Sequence, residues 1–286
     1  MAKNIHCLVL SITISLCLAC QRKSELRVSP ILTFDTPVVK PLLPMLLEVS
    51  GIADSKKNPG YLWAQEDSDN PPNLILISHE GNVVKTIPIK DAINYDWEDM
   101  TLAGDQIYIA DIGDNKLERN EYTIYQFTEP SSSVNLIESF KTIRFKYPDG
   151  THDAEALLVD PVKKDIYLIT KRDNPSEIYK LSYPQSFTEL NTATKVGSLS
   201  YSGVVSASLS ADAKNIIIKT YIGLHLYRRN ESEDITKILA GPFTNLDYHI
   251  EPQGEAVAFA ADNSGFYTLS EKGFSKDVNL YFYRKK

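Results

Sequence analysis

Cysteine is nearly missing from this chain. The three present, Cys7, Cys17 and Cys20, all fall in the first 20 of 286 residues. A domain built from the remainder contains no disulfide, so its core must hold it, and at this length the core is large enough. Positive charge is in deficit, with 30 Lys and Arg against 37 Asp and Glu and a formal net charge of −7. A general nucleic-acid binder carries the opposite balance, so no nucleic-acid partner is expected. A long apolar run occurs only near the N-terminus, which excludes a polytopic membrane protein. The five histidines, at 6, 79, 152, 225 and 249, are scattered without metal-ligand spacing, which speaks against zinc. No serine sits in a Gly-x-Ser-x-Gly elbow, and no long segment has the 3.6-residue helical period. What is present is 43% hydrophobic and 23% charged residues, too apolar for a disordered chain. Aromatics make up 10%, with 16 Tyr, which leans towards strands. One large β domain or two small domains would fit the length.

The first 19 residues have the character of a signal peptide. Lys3 gives a basic start, Ile5 to Leu16 form a short apolar stretch, and Ala19 precedes Cys20. The Ala19-Cys20 end resembles a bacterial lipobox, with Cys20 lipidated and becoming the first mature residue. Leu18 and Cys17 depart from the usual residues before it. Cleavage removes Lys3 alone among charged residues and takes the net charge from −7 to −8. The expected location is the bacterial cell envelope, with a lipid holding the chain to a membrane. Gln21 after Cys20 favours the outer membrane, because it is not the Asp associated with inner-membrane retention. Residues 20–44, polar at first and then punctuated by Pro30, Pro37, Pro41 and Pro44, read as a tether with a lead-in strand. The domain proper is expected over 45–286.

Five segments repeat one order: a small or acidic residue, a short apolar strand, a turn, and a stronger apolar strand ending in a polar cluster. Their equivalent positions are 51, 98, 155, 207 and 255. Third and fourth strand-like runs follow in most units, such as Tyr122–Tyr125 and Thr142–Phe145. Four strands in units of roughly 40–50 residues predict an all-β fold, a β-propeller of four-stranded blades. Five blades are counted directly. A sixth would need a degenerate unit within 130–150 or 21–48. The last unit has only three strands, so an N-terminal strand within Arg27–Phe34 is expected to close the ring. Trp63 and Trp97 are expected to pack between blades.

In such a blade the start of the first strand and the end of the second lie at one face. Glu98, Glu155 and Glu255 are therefore expected around a channel mouth, flanked by Asp96, Asp99 and Asp153. Asp111, Asp114, Asn115, Lys171, Arg172, Lys219 and Glu271 are expected on loops of the same mouth. Gathered carboxylates either hold a hard cation such as Ca²⁺, which takes six to eight oxygens, or pair with cationic side chains. A water-filled channel whose Glu side chains cap strand ends is the alternative. Asp111-Ile112-Gly113-Asp114-Asn115 lacks EF-hand spacing and reads better as a turn. His152, beside Asp153, is a candidate general base.

Several stretches then stand out together: Glu48-Val49-Ser50-Gly51-Ile52-Ala53, Asp96-Trp97-Glu98-Asp99, Asp111-Ile112-Gly113-Asp114-Asn115, Tyr147-Pro148-Asp149-Gly150 with Asp153-Ala154-Glu155-Ala156-Leu157, and Gly254-Glu255-Ala256. In this order they resemble a group of secreted bacterial β-propellers, distantly similar to phytase-like and SdiA-regulated propellers. The resemblance covers about residues 46–284 and implies fold and extracytoplasmic location. The phytase-like relatives imply Ca²⁺ and phosphate-ester chemistry, with Lys171, Arg172 and Lys219 as the basic groups. Two functions follow as expectations. The first is a monomeric, lipid-anchored binding module that takes a small ligand or a protein at its mouth. The alternative is a Ca²⁺-dependent hydrolase of phosphate or other esters, with Glu98, Glu155 and Glu255 organising the ion.

Overall fold

The computed structural model describes residues 32–230 and 233–286. The signal segment, Cys20 and most of the tether lie outside these residues. The described chain is a five-bladed β-propeller. Blade 1 comprises Val49–Asp54, Tyr61–Glu66, Asn73–Ser78 and Val83–Pro88. Blade 2 comprises Trp97–Ala103, Gln106–Asp111, Tyr122–Thr128 and Lys141–Lys146, with Asn191–Thr192 added in parallel at its edge. Blade 3 comprises Ala154–Val159, Ile166–Thr170, Glu177–Leu181 and Thr194–Ser198, and blade 4 comprises Val204–Leu209, Asn215–Thr220, Gly223–Arg228 and Thr244–Leu246. Blade 5 comprises Ala256–Phe259, Gly265–Leu269 and Asn279–Arg284, completed by Val38–Pro41 from the N-terminal side. The one helix among the described residues is the five-residue Ile235–Leu239, capped by Asp234.

The closing strand lies later than Arg27–Phe34, the segment expected to supply it. Of that segment, Phe34 contributes a single bridge to Lys285. Pro41 ends the closing strand without penalty, because an outermost strand has one backbone edge with no ladder partner. The innermost strands of the blades touch in sequence around the ring. Those of blades 1 and 3 are buried along their whole length, whereas the outermost strand of blade 1 alternates with solvent. This is why the inner strands lack a clean period of two: both faces meet another blade. Five apolar clusters fill the five gaps between neighbouring blades. Trp63 and Trp97 lie together in the gap between blades 1 and 2, as expected. Trp97 Nε1 donates to Ile93 O and Trp63 Nε1 to Glu129, so neither indole is left without a partner.

One irregularity recurs and positions the site. The pairing of the first two strands shifts register between Val49 and Gly51, Trp97 and Asp99, Ala154 and Ala156, and Val204 and Ser206. Each shift leaves one extra residue on the inner strand: Ser50, Glu98, Glu155 and Val205. A β-bulge of this kind frees a side chain from the alternating pattern and re-aims it. In blade 5 the ladder begins at Ala256, so Glu255 holds the same place. The true equivalents in blades 1 and 4 are thus Ser50 and Val205, not Gly51 and Ala207. The extra residue in the bulge shifts the count.

Candidate functional site

Glu98, Glu155 and Glu255 are brought together from three blades at the start of their inner strands, and all three are buried. Two sets of carboxylates meet there. Asp67, Asp96 and Glu98 each offer an oxygen within 4.8 Å of the others, and so do Glu98, Asp153 and Glu155. Glu98 belongs to both sets. No hydrogen-bond donor among the described residues reaches it, and burial together with repulsion from Glu155, Asp67, Asp96 and Glu255 holds its pKa well above the ordinary range. Glu155 receives Lys171 Nζ on Oε1, while Oε2 is buried without a partner. Its pKa is raised by burial, opposed by Lys171 and reinforced by Glu255. Asp67 is pushed up to about 7 by burial and by Asp96, Glu255 and Glu48. Glu271 shares a hydrogen bond with Glu255 and is pushed up to about 9, by burial first and then by Glu255. A group of acids with too few donors holds protons until a cation replaces them.

Gly113 closes one side. A Cβ there would run into Glu98 Oε1 and the Asp96 carboxylate. Its N–H and that of Ile112 both donate to Asp96 O at 3.1 Å. The 111–115 segment forms one wall of the acidic cup. Neither Gly113 nor Asn115 takes a positive φ, so special dihedrals are not what requires them, and the close approach of Glu98 and Asp96 is what requires Gly113.

The other expected residues have different places. Asp99 lies deeper in the channel and accepts from Met100 N at 2.9 Å, Leu157 N at 2.9 Å, Ala207 N at 3.2 Å and Ser206 Oγ at 3.1 Å. It ties blades 2, 3 and 4 together. Asp111 is bonded to Arg119 at 2.7 Å and to the N–H groups of Tyr95 and Asp96. Asp114 caps its own loop through Glu118 N, Arg119 N and Tyr122 Oη. Asn115 accepts from Arg172, whose Nε also donates to Asp153 Oδ2 at 2.5 Å. Lys219 is fully buried against Glu251 Oε2 at 3.2 Å and Tyr248 Oη, and burial lowers its pKa. His152 contacts Asp173 through Nδ1 at 2.9 Å and Tyr179 Oη through Nε2 at 2.9 Å, so both ring nitrogens are engaged.

Three contributors escaped the sequence reading. Asp67 stands in the polar cluster that ends the second strand of blade 1, one step before the turn, and that repeat position was its only signal. Tyr221, at the same place in blade 4, donates to Glu255 Oε1. Glu251 anchors the segment before Glu255 by accepting from Lys219, Tyr248 and Thr268, and no repeat position pointed to it.

Fold and site define a five-bladed propeller with a donor-poor acidic channel mouth. The chain belongs to the SdiA-regulated family, which matches residues 33–220, more than half of its length. No curated protein matches the sequence. Among solved structures, one chain from a crystal structure of a nidogen/laminin complex is similar at 13% identity and a TM-score of 0.45, covering 81% of this chain and 79% of that one. A chain of Kuenenia stuttgartiensis hydrazine synthase is similar at 9% identity and a TM-score of 0.42, covering 81% and 82%. Neither likeness carries a function to this chain.

Proposed function

We propose that the protein is a binding propeller whose channel mouth takes a hard divalent cation, Ca²⁺ by its all-oxygen donor set, and through that ion a ligand. The observation that carries this reading is Glu98, shared by two carboxylate sets without a donor of its own, beside the partnerless buried Glu155 Oε2. Glu98, with Asp67 and Asp96 on one side and Asp153 and Glu155 on the other, would hold the ion, which adds to the positive charge of Lys171 and Arg172. A binding role is preferred to ester hydrolysis because His152, the candidate base, is engaged at both ring nitrogens. In the same proposal, lipid attachment at Cys20 holds the domain to the cell envelope, preferably at the outer membrane, as a monomer.

Equilibrium dialysis with Ca²⁺ and Mg²⁺ tests the cation. The purified chain is expected to retain Ca²⁺, and the Glu98→Gln variant is expected to retain none. Equal retention by both would remove the reading. For the anchor, metabolic labelling with a radioactive fatty acid should mark the wild type and leave Cys20→Ser unlabelled. Labelling of both would place the lipid at another residue, and labelling of neither would remove it.

A further inference from the structure

We propose that Lys171 is a tethered counter-cation that competes with the incoming ion and makes the mouth selective for doubly charged cations. This rests on the divalent-cation reading above. Lys171 directly follows the second strand of blade 3, and its backbone is fixed on both sides: its N–H donates to Asp153 O at 2.9 Å, and its C=O accepts from Gly203 N at 3.0 Å. The side chain turns inward and is only 17% exposed. Its ammonium bonds Glu155 Oε1, stands 3.8 Å from Glu255 Oε1 and lies 5.1 Å from the centre of the Tyr221 ring. Among the described residues no other cationic head group bonds Glu98, Glu155 or Glu255. Arg172 is held outward on Asp153 and is half exposed, and Lys219 is sealed below with Glu251.

The ammonium thus occupies one of the oxygens that an ion would need. A monovalent ion arriving there exchanges one unit charge for another and leaves the lysine without its partner. A divalent ion brings twice the charge, and Glu155 has a second oxygen ready for it. The tether therefore raises the threshold for any cation and excludes weakly charged ones. Lys171 acts here through charge and position.

Calorimetric titration of Ca²⁺, in sodium-free buffer and again with added NaCl, tests this on the wild type, Lys171→Met, Lys171→Gln and Lys171→Arg. Circular dichroism confirms the fold of each variant, and Gln serves if Met unfolds the blade. The expected result is at least tenfold tighter Ca²⁺ binding by the Met or Gln variant, near wild-type affinity for Arg, and Na⁺ competition that appears only when the charge is gone. Wild-type binding with no gain in the neutral variants overturns the role of Lys171 and leaves the cation reading standing. Binding by the neutral variants alone supports the role and overturns Ca²⁺ as the wild-type ligand. Binding by none overturns both.

Discussion

The channel region has buried acids at both ends, and their surroundings differ. Away from the mouth, each acid is matched by donors. Asp160 receives Arg229 Nη2 at 2.5 Å and the N–H groups of Val162 and Lys163. Asp54 receives Ala261 N and meets His79, and Glu129 receives Ser55, Trp63 and Lys57 N. Asp99 in the middle has four donors. At the mouth, Asp67, Asp96, Glu98 and Glu155 face one another instead. Residue type is alike in the two groups, and Glu98 and Glu155 are as buried as the acids away from the mouth, while Asp67 and Asp96 are half-buried. The difference lies in the number of donors, so burial of a carboxylate alone does not mark a site here. A buried acid with donors holds the fold together, and a buried acid without them is left with burial and repulsion uncompensated.

That contrast gives mutations of opposite sign. Asp160→Asn should be the most damaging change, because it leaves the Arg229 guanidinium buried and unpaired. Loss of such a partner costs about 3–5 kcal/mol, readable by urea unfolding. A change under 1 kcal/mol would mean that the pair is dispensable. Glu98→Gln should do the reverse in cation-free buffer. With no donor to lose and repulsion to relieve, it should keep wild-type stability within about 0.5 kcal/mol or raise it. A marked loss would show that Glu98 is itself a structural acid.

The pH response should separate the two groups further. Glu271 at about 9 and Asp67 at about 7 both lie above their ordinary values of 4.5 and 3.8. Groups raised in the folded state contribute stability below their unfolded pKa and lose it as pH rises through the folded one. In chelator, melting temperature should therefore fall between about pH 4 and pH 9, and Ca²⁺ should flatten that fall. A rise over the same window would contradict the crowding of acids. Arg172→Ala should cost about 1 kcal/mol, because the guanidinium it removes is half exposed and the buried Asp153 it leaves keeps the N–H of Asp114 as a donor.

Much of this was legible in the chain. The recurring order of strands counted five blades while leaving a sixth open, and the equivalence of Glu98, Glu155 and Glu255 put three acids at one mouth. The bulge was not legible, because an extra residue on an inner strand changes no composition, so Ser50 and Val205 were misplaced by one and two positions. Nor could the sequence separate Asp99 and Asp111 from Asp96 and Glu98. All four stand within or beside the same kind of motif, and only the donors that the fold brings to them distinguish them, from blades 3 and 4 for Asp99 and from its own blade's loops for Asp111. Asp67 carried the same acidic side chain as its neighbours Glu66 and Asp69, and only register decides which of them turns inward.

The proposed cation site rests on Glu98, which no donor among the described residues reaches, and on the partnerless Oε2 of Glu155. Thermal unfolding of the wild type and Glu98→Gln, each with Ca²⁺ and with chelator, tests it most directly. Ligand linkage predicts about 2.7 kcal/mol of added stability at Ca²⁺ a hundredfold above its dissociation constant. The wild type is expected to melt at a higher temperature with Ca²⁺, and the two Glu98→Gln curves are expected to coincide. A wild type indifferent to both, or a variant that responds as the wild type does, would contradict it.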